Sequence, residues 1–144
     1  MTIERRFIRH DIDVLQFRVL PERFSIHQLQ PRATVPLAVF DASMYSIVRT
    51  SAGLTIVVPE EVPIDSMATQ AAWRVLGLMG PLDFALTGIL ADLTGVLAEA
   101  QVSVFALSTY DTDWVLVRAR DLAHALTALK AAGYVEQMTT GSAA

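Results

Sequence analysis

The chain contains no cysteine, which excludes disulfides, thiolate metal sites and a thiol nucleophile. Its 144 residues include only three histidines, His10, His27 and His124, far apart and without the spacing of metal ligands. No metal is expected, and no other cofactor either, since the phosphate-cradling GxxxxGK[ST] loop and the GxGxxG turn are both missing. Ser108 stands outside any GxSxG frame and has no histidine nearby, so a hydrolase triad lacks its parts. The acidic pair Glu60-Glu61 falls in a connector, where solvated carboxylates are the ordinary reading. Nothing points to an enzyme. No apolar run approaches the roughly 18 residues of a membrane span. The opening MTIERRFIRHD alternates charged and apolar residues and lacks the continuous apolar stretch of a secretory signal. The cytoplasm is therefore the expected compartment.

Charge is scarce as well. Charged residues make up 18% of the chain against 53% hydrophobic, where an ordinary soluble domain carries about 25% charge. The net charge is -4 and the basic residues are scattered, with only Arg5, Arg6, Arg9 and His10 close together. Nucleic acid, which selects for a basic field, is not an expected partner. So little polar material leaves apolar surface to be covered, and a homodimer is the simplest cover. The alternative is a monomer with an unusually apolar surface. A chain of this length hides about two-thirds of its unfolded surface, as one domain or as two small fused halves.

The residues that are present read as two halves. In the first, over 1–62, Val14 to Leu20 has strand character and Pro21 is expected to end it. A second extended stretch, Phe24 to Leu29, alternates apolar Phe24 and Ile26, with His27, against polar neighbours, and Pro31 and Pro36 then interrupt regular structure. The segment from Pro36 to Ser43 has room for a short helical turn. Met44 to Arg49 and Leu54 to Val58, joined by Thr50-Ser51-Ala52-Gly53, predict a hairpin. A connector follows over 63–72, with Pro63 and a candidate helix cap at Asp65 or Ser66.

The second half, 73–138, is more regular. Trp73 to Met79 reads as a strand closed by Gly80-Pro81. From Gly88, the apolar positions Ile89, Leu93, Val96 and Leu97 recur at i, i+4, i+7 and i+8, one face of a helix ending near Ala100. Val102 to Leu107 and Trp114 to Val117 read as strands around the polar turn Ser108-Thr109-Tyr110-Asp111-Thr112-Asp113. Asp121 opens a last helix with Leu122, Leu126 and Leu129 on one face, Lys130 in its final turn and Gly133 just past its end. Tyr134 to Met138 can return as a strand, and 139–144 is a frayed tail. The order β-α-β-β-α-β predicts an α+β fold of the ferredoxin-like kind, an antiparallel sheet with both helices on one face.

The run GPLDFALTGILADLTGVLAEAQVSVFALSTYDTDWVLV, Gly80 to Val117, resembles the ACT-domain proteins, in the branch that includes the cytosolic arginine sensor of animal cells and small bacterial relatives. The carrying pieces are Gly80-Pro81-Leu82-Asp83-Phe84, Gly88-Ile89-Leu90-Ala91 and the Ser108 to Asp113 turn. Ser46 to Thr50 and Thr55 to Pro59 in the first half are similar to the branch too. The resemblance implies two ACT-like units per chain, the first degenerate, with an amino acid held at an interface between units and read out through a protein effector that the sequence does not name.

The chemistry of such a site can be judged from the residues. A helix starting at Gly88 presents the unpaired N–H groups of its first turn, those of Ile89 and Leu90 among them, and a positive dipole end, which suit a carboxylate. The glycine permits close approach. Asp83 and Asp113 are candidate acceptors for an ammonium group. Carried over from the family, Thr109, Tyr110 and Asp113 would face the ligand. The sequence departs from the arginine sensor by placing a tyrosine at 110 where that protein has a plain aromatic ring, so ligand identity does not transfer. Each of these residues also has a structural reading: Gly80, Pro81 and Gly88 as a strand-to-helix turn, Asp111 and Asp113 as solvated turn residues, Tyr110 as an exposed aromatic, and Trp73 and Trp114 as sheet packing. A structural dimerisation module and an enzyme on a ferredoxin-like scaffold stand as the alternative functions.

Overall fold

The computed structural model describes residues 15–79 and 88–138. Seven strands and two helices follow in chain order: β1 (Gln16–Leu29), β2 (Ser46–Thr50), β3 (Gly53–Pro59), β4 (Ala68–Leu78), α1 (Ile89–Glu99), β5 (Val104–Ser108), β6 (Asp113–Arg118), α2 (Leu122–Ala131) and β7 (Val135–Glu136). The described residues fall into two compact units: one holds the chain up to Leu20 and from Arg74 onward, the other Pro21–Trp73. The division cuts β1 and β4, each of which contributes a segment to both units. The sequence boundary at 62 and 73 differs from this one, because the strand before Pro21 groups with residues 74 onward.

In the discontinuous unit the sheet runs β7, β1, β4, β6, β5. β5 and β6 pair antiparallel from Val104↔Val117 to Ser108↔Asp113, and Met79 N–H donates to the Gln16 carbonyl at 2.8 Å. β7 pairs in parallel with β1 at Gln16↔Val135 and Phe17↔Glu136. The leading segment of β1 thus stands between β7 and β4, where a self-contained β-α-β-β-α-β sheet would set them side by side. Both helices cover one sheet face. Ile89, Leu93, Val96 and Leu97 of α1 and Ala125 and Leu129 of α2 pack on Phe17, Leu76, Leu78, Val115 and Val117, as the apolar spacing of each helix requires. Gly88 precedes α1 with φ 81, a left-handed conformation that glycine adopts without strain. α2 ends in a left-handed glycine motif: Gly133 has φ 99, Gly133 N–H donates to Lys130 and Tyr134 N–H to Leu129, each at 3.0 Å. That turn delivers Tyr134 into the core.

Two sequence expectations need correction here. Pro21 does not end a strand; β1 continues through it. Its missing N–H is tolerated because it lies between the register with β7, at Gln16 and Phe17, and the register with β3, which starts at Phe24. The second strand run begins at Ala68 rather than Trp73. The stretch Ala68 to Ala71 is exposed and shows no apolar alternation, so only its pairing beside β1, begun where Met67 N–H meets the Gln28 carbonyl at 2.9 Å, makes it a strand.

In the contiguous unit, β2 and β3 form the expected hairpin, with Thr50↔Gly53 closing a two-residue turn. β3 pairs antiparallel with the trailing segment of β1 from Phe24↔Pro59 to Leu29↔Leu54. Leu29, Val39, Leu54, Ile56 and Val58 form its core. Val39 comes from the short 3-10 turn Leu37–Asp41 that follows Pro36. The Arg49 guanidinium holds the proline-rich segment by donating to the carbonyls of Pro31 and Ala33, the latter at 2.8 Å. Phe24 and His27 are buried as expected, while Ile26 is only partly buried and Ser25 and Leu29 turn inward with His27.

His27 is buried among hydroxyls. Its Nδ1 lies 2.9 Å from Ser66 Oγ and 3.2 Å from Thr69 Oγ1, and the two hydroxyls are 2.9 Å apart. Burial lowers the His27 pKa below its ordinary 6.5. A histidine with a depressed folded-state pKa leaves stability untouched above its unfolded value and reduces it as pH falls below 6.5, because the unfolded chain takes up the proton first. The melting temperature of the wild type should therefore fall between pH 6.5 and 5 more steeply than that of His27→Gln. Parallel slopes for the two proteins would disprove this.

Candidate functional site

The polar turn between β5 and β6 builds one wall of an open groove of about 450 Å³. The turn is internally bonded. Thr109 N–H donates to the Thr112 carbonyl at 2.9 Å and Thr109 Oγ1 to the same oxygen at 3.2 Å. Thr112 Oγ1 donates to the Leu78 carbonyl at 3.0 Å, which ties the turn to the end of β4. Thr109, Asp111 and Thr112 line the groove on this side, and Leu78 and Met79 at the end of β4 line another. Arg18 of β1 and Trp114 of β6 complete it.

The position of Trp114 depends on a gap beside it. A Cβ built on Gly77 would come within 2.4 Å of Trp114 Cζ3 and 2.5 Å of Cε3, so the indole lies directly against the Gly77 backbone. Arg18 stands over the indole, its guanidinium carbon 5.3 Å from the ring centroid. Alternation puts all three on the sheet face away from the helices, since Phe17, Leu78 and Val115 enter the helix-side core.

Of the residues singled out in the sequence, Thr109 lines the groove. Tyr110 is 83% exposed at the turn tip. The Asp113 carboxylate accepts a 2.6 Å hydrogen bond from Ser108 Oγ across the hairpin, closing the turn at its base. Ile89 is buried in the helix-side core and Leu90 packs against it, so their side chains serve packing. Gly88 supplies the left-handed residue ahead of α1, and the Asp92 N–H already donates to its carbonyl at 2.9 Å. Asp83 lies outside the described residues. Arg18, Asp111 and Trp114 were not among the expected ligand contacts. Arg18 is a polar position in a strand with apolar residues on both sides, which carries no local sign of a site. The signal for Trp114 was present in the glycine of the Leu76-Gly77-Leu78 run, a break in a strand that marks close approach. Among the described residues no group of three or more His, Asp or Glu could hold a metal ion, and no helix is long and apolar enough to cross a membrane.

The ACT-domain family profile matches residues 68–131, from the start of β4 to the end of α2. This segment is an ACT domain. ACT domains are regulatory modules that bind small amino-acid ligands. The chain is similar to subunit 1 of the cytosolic arginine sensor for mTORC1 of Bos taurus, 36% identical over 89 residues that cover 54% of this chain and 27% of that protein. It therefore spans little more than a quarter of that relative's length. Among solved structures it is similar to an Agobacterium tumefaciens protein, with a TM-score of 0.81 at 25% identity over 89% of this chain and 96% of the other. The regulatory subunit of aspartate kinase from Thermus thermophilus shares the fold, with a TM-score of 0.59 at 12% identity, covering 81% and 95% of the two chains. The groove-forming turn and Trp114 both lie inside the ACT domain.

Proposed function

We propose that this protein is an amino-acid sensor that holds a free amino acid in the groove beside the Thr109 to Thr112 turn. The observation that carries the reading is the groove itself, a concavity of ligand size built by an internally braced turn within an ACT domain. The first-turn N–H groups at Gly88, Ile89 and Leu90, with Asp83, form the second set of groups that the family resemblance supplies to a ligand at an interface between units. Binding acts by population shift, stabilising the arrangement of the protein that binds best, which a protein effector then reads. The working form is a cytoplasmic homodimer, supported by the exposed apolar side chains Leu37, Phe40, Tyr45 and Val48.

The test is a thermal-shift screen of the purified chain against the twenty amino acids. A ligand at ten times its Kd adds about 1.4 kcal/mol, a rise in Tm of about 5 °C for a chain of this size. The responder should lose its effect in Asp111→Ala, and Asp113→Ala should weaken it by loosening the turn. Light scattering of the same sample should return twice the chain mass. A dimer whose Tm responds to none of the twenty would favour the purely structural module.

A further inference from the structure

We infer that Arg18 receives the carboxylate of the ligand, and that Arg18 with Asp111 restricts the groove to amino acids whose side chain carries no charge. The inference rests on the sensor reading and adds the class of ligand. Few groups of the groove are left to meet a ligand. The two threonine hydroxyls of the groove already donate within the protein, Thr109 to the Thr112 carbonyl and Thr112 to the Leu78 carbonyl. The Asp113 carboxylate is engaged by Ser108. Among the described residues, what remains in the lining is one cation, Arg18, one anion, Asp111, and the apolar side chains of Met79 and Trp114.

Arg18 is held in a manner that leaves its donors available. Its guanidinium carbon lies 5.3 Å from the Trp114 ring centroid, and the five N–H groups of a guanidinium lie in the plane of its fork, the geometry that takes a carboxylate through two parallel hydrogen bonds. Trp114 is in turn seated against Gly77, so the platform under the guanidinium is fixed. One cation and one anion on a single groove match the carboxylate and ammonium of an α-amino acid. Once both are engaged, the described lining offers the side chain no further formal charge, only Met79, Trp114 and the threonine hydroxyls. A cationic side chain would meet Arg18 as a like charge and find no second carboxylate among the described lining residues. An acidic side chain would find no second cation among them. Despite the similarity to an arginine sensor, arginine is thus disfavoured by the charges of the described lining.

Calorimetric titration of the full chain tests this with the uncharged amino acids, arginine, lysine, glutamate, and the decarboxylated amine of whichever uncharged amino acid binds best. The expected result is binding of an uncharged amino acid, with the charged ones and the amine each at least about tenfold weaker. In Arg18→Ala, whose exposed side chain can be removed without loss of Tm, the amino acid should fall to the level of its amine. Arg18→Lys should recover part of the difference. Arginine, lysine or glutamate binding as tightly as the best uncharged amino acid overturns the inference. So does an Arg18→Ala protein that still prefers the amino acid to its amine. Both results would leave the sensor reading in place, whereas a wild type that binds none of the amino acids would overturn the reading and the inference together.

Discussion

Gly77→Ala should cost about 3 kcal/mol, the upper end of what overpacking produces. The added methyl would lie 2.4 to 3.0 Å from three atoms of the Trp114 ring, and an indole cannot bend away as a flexible side chain can. It must rotate off the sheet, which also removes the face on which Arg18 stacks. Denaturant or thermal unfolding should show the loss as a fall in Tm of about 10 °C, and the amino-acid response should vanish with it. The cause can be isolated, because Gly77→Ala should cost little in a Trp114→Ala background. If the two costs simply add, the glycine is needed for some reason other than the seat of the indole.

Replacing Tyr134 should have a comparable or larger effect. Its hydroxyl donates to Asp92 Oδ2 at 2.7 Å, and both residues are buried, at 3% and 4% exposure. Tyr134→Phe keeps the ring and removes the donor from a buried carboxylate, at about 2 kcal/mol. Tyr134→Ala also empties the ring's volume and should cost about 4 kcal/mol. Asp92→Asn in the Tyr134→Phe background should recover part of the loss, since an uncharged amide is less costly to leave without that donor. Unfolding curves in denaturant give all of these as shifts in midpoint at constant slope. A Tyr134→Phe protein as stable as the wild type would show that the hydroxyl does not hold Asp92.

Much of this was legible in the amino-acid order, and the parts that were not share a cause. The spacing of Ile89, Leu93, Val96 and Leu97 places α1 because a helix face is a local property. The hairpin at Ser51-Ala52 and the glycine stop at Gly133 are local too. The Gly80 to Val117 motifs identified the ACT domain by resemblance. What periodicity could not convey was anything that depends on distant partners. Pro21 looks like a strand end until the two registers of β1 show that its N–H is not required. Ala68 to Ala71 looks like a connector until it lies beside β1. The alternation groups His27 with Phe24 and Ile26, but carries no sign that Ser66 and Thr69 meet its ring. The groove follows the same rule. Its turn could be read from Ser108 to Asp113, while Arg18 comes from a strand some ninety residues earlier and bears no local mark.

The parallel pairing of β1 with β7 has a consequence for the order in which the molecule can be made. Residues 21–73 are contiguous, so a chain emerging from the ribosome can complete that unit early. The strand at Gln16 is among the first described segments to be synthesised, yet its partner at Val135 arrives more than a hundred residues later. Until then the edge of that strand lacks its partner, and the core that Phe17 enters lacks Tyr134. The groove inherits that delay, because Arg18 lies on the early strand and Trp114 on a late one. Ligand competence is therefore among the last properties a new chain acquires.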